Sequence, residues 1–150
     1  FEDEKTVRYQ IQEMLRIERV FEAAGIQDEL DAYNPLIPDG SNWKATFMIE
    51  YPDVEERRRM LAKLIGIERA TWMRVGDLPR IAPIANEDLE RETDEKTSSI
   101  HFLRFELTPA MVAAAKAGAP ISAGISHPSY AHEVAAIPED VRRALTADLR

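Results

Sequence analysis

At 150 residues the chain is long enough for one domain with its own hydrophobic core, and short of the length expected for two. With 27 acidic against 19 basic residues, its net charge of −8 argues against nucleic acid and anionic lipid as partners, and no uncharged apolar run approaches the length of a membrane span. The complete lack of cysteine removes disulfides, thiolate metal ligands, cysteine nucleophiles and any iron–sulfur cluster ligated by this chain. A redox role would have to draw on another chain or a bound cofactor. The chain starts at Phe1 rather than Met, so residues 1–150 are expected to form the single domain of a product that carries further N-terminal residues. They contain no secretory or transit pattern.

The first pattern predicts a long helix over residues 5–24, with Gly25 as the left-handed residue that stops it. At about 100° per residue, Val7, Ile11, Met14, Leu15, Ile17, Val20, Phe21 and Ala24 span an arc too wide for one amphipathic stripe. Such a helix should be covered on two sides. Residues 27–33 read as a short second helix ended by Asn34-Pro35, followed by a turn-rich connector over residues 36–42. Strict alternation then sets Trp43, Ala45, Phe47, Ile49 and Tyr51 on one face of a half-buried strand. Asp53 can cap a helix that runs to about Ile65, with Val54, Leu61, Leu64 and Ile65 inward and Gly66 as its stop. Residues 69–75 and 80–85 read as a β-hairpin around Gly76-Asp77-Leu78-Pro79. The acidic tract at residues 86–96 reads as a solvated linker or a short exposed helix.

From residue 99 to residue 107 alternation resumes, with His101, Leu103, Phe105 and Leu107 sharing one face of what should be a central strand. Thr108 caps, Pro109 suits the first helical position, and a small-residue helix runs to Gly118. Residues 120–126 are strand-like, and Pro138 starts a last amphipathic helix on Val141, Leu145 and Leu149. Residues 43–75 and 100–125 share the order strand, proline-capped helix, glycine stop, strand, which suggests a pseudo-repeat. The expected fold is α+β: a long N-terminal helix and a mostly antiparallel sheet with helices on one face.

Common site motifs are missing, among them a Walker loop, a dinucleotide-binding glycine run, a nucleophile elbow and a zinc-protease helix. Three anomalies remain. Glu18 projects into the middle of the apolar arc of the opening helix, where a carboxylate must be ion-paired, protonated or metal-bound. An arginine such as Arg104 would be the bland partner, and exposure at an oligomer rim is the other bland reading. His101 shares an inward strand face with three apolar residues, as a satisfied core histidine or as a ligand. Were Glu18 and His101 to meet, they would supply half of a non-haem iron, manganese or zinc site. Third, residues 127–133 crowd His127, Tyr130, His132 and Glu133 into a loop, with histidines five apart, a spacing that puts them on neither one helix face nor one strand face. That loop reads as a pocket rim or interaction loop, or with His127 as a further metal ligand and Tyr130 as a hydrogen-bonding or proton-transfer group. Arg57, Arg58 and Arg59 read as a salt-bridged outer face with Glu55 and Glu56.

The runs Arg8-Tyr9-Gln10-Ile11-Gln12-Glu13-Met14-Leu15-Arg16-Ile17-Glu18-Arg19, Asp31-Ala32-Tyr33-Asn34-Pro35-Leu36-Ile37-Pro38, Asn42-Trp43-Lys44-Ala45-Thr46 and His101-Phe102-Leu103-Arg104-Phe105-Glu106-Leu107, with the His127-Pro128-x-Tyr130 segment, resemble the bacterial family called domain of unknown function 3501. The resemblance spans nearly the whole chain. It implies a cytoplasmic redox or peroxide-defence setting, because members are typically encoded beside rubrerythrin-like proteins and cysteine-rich iron–sulfur oxidoreductase subunits. It supplies no catalytic residues. The expected function is that of a non-catalytic accessory or adaptor protein, a homodimer built partly on residues 7–24. The rival is a metal-dependent enzyme or metal-binding protein using Glu18, His101 and His127, and a third reading is a small-ligand module with its pocket between the opening helix and the sheet.

Overall fold

The computed structural model describes residues 1–150. Helix α1 spans Glu4–Glu18, with Asp3 and Thr6 closing a reciprocal capping box at its start. It stops seven residues short of Gly25, because Arg19 itself takes the left-handed conformation (φ 55°). The chain turns there and re-enters helix as α2, Ala23–Tyr33, which contains Gly25. The single long helix predicted over residues 5–24 is therefore two helices forming an arm. Only Val7 and Ile11 of the wide apolar arc are buried, and α2 buries none of its residues.

Strand β1 (Asn42–Met48) follows a 3-10 turn at Asn34–Leu36. Pro52 ends the extended run, and the Asp53 carboxylate accepts from Glu56 N to cap α3 (Val54–Lys63). Gly66, at φ 82°, stops it as expected. Val54, expected inward, is exposed, and Leu64 alone of the predicted inward set is fully buried. Arg58 pairs with Glu55 on the outer face of α3, while Arg57 donates to the Tyr51 carbonyl. A 3-10 turn at Ile67–Ala70 leads into β2 (Thr71–Val75).

The hairpin expected after β2 closes only by one bridge, Met73 with Ile81. The chain then crosses over, so that β3 (Ile84–Ala85) pairs with β4 (Ile100–Glu106) instead. Between them the acidic tract forms turns and no helix. Thr108 caps α4 (Pro109–Lys116), and β5 (Ile121–His127) and β6 (Tyr130–Val134) form a tight hairpin where a loop was expected. Helix α5 covers Glu139–Ala147.

The strands make two three-stranded antiparallel sheets, ordered β1-β4-β3 and β2-β5-β6, rather than the one sheet expected. The segments β1-α3-β2 and β4-α4-β5 do run in the same order, and their strands pair with each other, β1 with β4 and β2 with β5. One core cluster joins both sheets to α4 and α5: Trp43, Leu103 and Phe105 meet Met73, Val75 and Ile121 under Met111, Leu145 and Leu149. Trp43 is fully enclosed, and its indole N–H donates to Leu145 O at 2.9 Å, satisfying a carbonyl in the last turn of α5. Beyond the core, Trp72 lies across Gly124 on the neighbouring strand, where a Cβ would fall 2.4 Å from its Cζ2. Arg80 stacks on the Trp72 ring 3.6 Å from its centroid.

Candidate functional site

The alternation of β4 turns His101 inward beside Leu103 and Phe105, and the ring is fully enclosed. Both nitrogens are engaged. Asn86, in the left-handed region that asparagine tolerates, accepts from Phe102 N through Oδ1 and so presents its amide N–H to His101 Nδ1 at 3.0 Å. The Ser98 carbonyl, which can only accept, lies 3.0 Å from Nε2. The proton therefore sits on Nε2, shared with Thr97 Oγ1 at 3.0 Å. Burial holds the His101 pKa below its ordinary value, and the nearby Glu68 carboxylate pulls the other way. The ring is a neutral strut that ties the 86–98 loop to β4.

Glu68 is the contrasting group. It sits in the 3-10 turn before β2 with 1% of its surface exposed. Its Oε1 lies 2.9 Å from Arg69 Nη1, and neither carboxylate oxygen accepts a hydrogen bond. Arg69 also reaches Glu92 Oε1 at 2.6 Å, and Glu92 Oε2 accepts from Gly66 N. The Glu92 pairing holds the Arg69 guanidinium firmly protonated. These residues and the 86–92 segment line an open cavity of about 510 Å³. No spacing rule marks a lone Glu in a short turn, so nothing in the sequence pointed to it.

The other candidate residues lie apart from this cavity or are differently used. Glu18 is exposed at the end of α1, a correction to its expected burial: the arc it was placed in does not exist once the helix stops at Arg19. Arg104 pairs with Glu87, at 2.6 Å, and with Glu106, not with Glu18. His127 is buried at the end of β5, its Nε2 donating to Ile65 O at 3.1 Å and its Nδ1 accepting from Ser129 N. Tyr130 and His132 are exposed on β6, and Tyr130 stands opposite His127 in the hairpin register. No group of three or more His, Asp or Glu residues stands in a metal-holding arrangement, so Glu18, His101 and His127 do not converge on one ion. A second cavity, of about 650 Å³, lies between α1 and the outer face of β1 and β4, lined by Tyr9, Met48, Ile100 and Phe102. No helix is long and apolar enough to cross a membrane.

No curated protein matches the chain. A crystal structure of a protein of unknown function from Burkholderia pseudomallei K96243 is similar over 100% of this chain and 78% of that one, with 56% identity and a TM-score of 0.93. A family model described as protein of unknown function, DUF3501, matches residues 1–149, and the chain belongs to that family.

Proposed function

We propose that the chain is a non-catalytic, cytoplasmic accessory protein that self-associates through the α1–α2 arm and serves a redox or peroxide-defence system. The observation that carries this reading is the exposure of Ile17 (63%) and Phe21 (80%) at the bend between the two helices, with Tyr9 (65%) one helix face away. A monomer gains nothing from large apolar groups held in water, whereas a second copy would bury them around a twofold axis. The two buried histidines, His101 and His127, spend their ring nitrogens on structural hydrogen bonds, which supports a binding role over a catalytic one for them. The redox setting, with rubrerythrin-like and iron–sulfur partners, rests on the family resemblance alone.

Light scattering across a concentration series tests the reading. The wild-type chain should be dimeric and the double variant Ile17→Ser/Phe21→Ser monomeric, and a wild-type chain that stays monomeric at every concentration overturns it. Co-sedimentation with a purified rubrerythrin-like protein tests the partner, and no complex means the redox half of the proposal is wrong. The cavity between α1 and the β1–β4 face favours the small-ligand module as the second reading. A thermal-shift screen of redox cofactors and metabolites that raises no midpoint removes it.

A further inference from the structure

We infer that the cavity over Glu68 is a binding site for a small organic cation carrying a guanidinium or primary ammonium group, and that Arg69 occupies that position as an internal stand-in. Burying a carboxylate without well-formed hydrogen bonds is costly, and Glu68 has 1% of its surface exposed with neither oxygen in a hydrogen bond, only an ion-pair contact from Arg69 to Oε1. Its single compensating charge is the Arg69 guanidinium, which touches Oε1 and leaves Oε2 free. That guanidinium is anchored from outside: the Arg69 side chain is 60% exposed and extends from a 3-10 turn rather than from a packed helix face.

The cavity wall is acidic beyond what its own bases neutralise. Asp88 is held by Arg91 and Glu87 by Arg104, whereas Glu68, Glu90 and Glu92 have only Arg69 among them. A cation entering here finds Glu68 Oε1 and Glu92 Oε1 already converging on one nitrogen position, that of Arg69 Nη1, which an ammonium or one N–H edge of a ligand guanidinium takes by displacing Arg69. The donor set selects hydrogen-bonding cations over metal ions. A bare divalent cation needs several converging oxygens, and no group of three acidic or imidazole ligands is so placed. At about 510 Å³ the cavity has room for a molecule of a few carbons attached to the cationic group.

The test is calorimetric titration of the full chain with agmatine, with Mg²⁺, Mn²⁺ and Zn²⁺ titrated separately. Agmatine should bind the wild type weakly, because Arg69 competes at high effective concentration. In Arg69→Ala the competitor is gone, and affinity should rise by about tenfold or more. Agmatine should also raise the melting midpoint of Arg69→Ala more than that of the wild type, restoring the lost counter-charge. Glu68→Gln should abolish binding, and Glu92→Gln, at a more exposed position and a safer variant to fold, should weaken it. Agmatine affinity that is unchanged or lower in Arg69→Ala, or unaffected by both Glu68→Gln and Glu92→Gln, overturns the inference. Binding of a metal ion with none of agmatine overturns it as well.

Discussion

The core between the two sheets and the α1–α2 arm use apolar residues in opposite ways. Around Trp43, the large side chains of the core cluster from β1, β4, α4 and α5 are enclosed, and the indole nitrogen among them has its acceptor. The arm carries side chains of similar size, yet only Val7 and Ile11 are buried, and Phe21 is among the most exposed apolar groups of the chain. Stability of the fold and surplus apolar surface therefore reside in separate parts of the molecule. A change in one should leave the other's property largely untouched.

The largest effect expected from breaking that division is at the core. Trp43→Ala should cost about 3–5 kcal/mol, through the cavity left and the orphaned Leu145 carbonyl, and should lower the denaturant midpoint of the whole chain. A loss confined to a few tenths would mean the two sheets do not share one core. His101→Ala should cost about 2–3 kcal/mol, because the Asn86 amide and the Ser98 carbonyl lose their partner inside the fold. The same site gives a pH signature. Its folded pKa lies below the ordinary value of 6.5, so as pH falls the unfolded chain takes the proton first. The His101 contribution is thus full above about pH 6.5 and declines below it, while the carboxylates paired with arginine, such as Glu87, lose theirs only at lower pH. Urea midpoints between about pH 5 and pH 8 should fall more steeply with acid in the wild type than in His101→Ala, and parallel curves would mean the ring titrates alike in both states.

Gly124→Ala sharpens the comparison from the second sheet. The new methyl group meets Trp72 Cζ2 at 2.4 Å and the His132 carbonyl at 2.9 Å, so the tryptophan must shift off its seat under Arg80. A cost of about 1–3 kcal/mol is expected, with a change in tryptophan fluorescence reporting the displaced ring. At the small end, Phe21→Ser should change the unfolding free energy of the isolated chain by less than about 0.5 kcal/mol. A larger loss, measured at a concentration where the chain is monomeric, would show that the arm is part of the core after all.

Much of the core was legible because its residues obey a simple period. Alternation in β1 and β4 identified Trp43, Phe47, His101, Leu103 and Phe105 as inward, and Asp53, Thr108, Gly66 and Gly118 marked helix ends by chemistry that acts within one turn. The arm misled for a related reason. Its helical pattern runs on through residue 24, and nothing local to Arg19 announces the left-handed turn that breaks it, so Glu18 was assigned to an apolar face that the fold never assembles. Strand β6 was missed because every one of its residues is exposed, leaving the ladder to β5 as its only reason to be extended. Glu68 was missed because a buried carboxylate looks, in sequence, like any surface glutamate.

From its residues alone the chain determined strands β1, β4 and β5 and helices α3, α4 and α5, which face of β1 and β4 turns inward, and that a histidine would be drawn out of water on β4. These follow from periodicity and caps, which operate over a few neighbouring residues. Only the tertiary structure decided that the strands divide into two sheets, that β3 leaves β2 for β4, and that the carboxylate needing a counter-charge is Glu68 rather than Glu18. Those outcomes depend on which distant segments exclude water from one another, a property that belongs to the packed chain and to no window of its sequence.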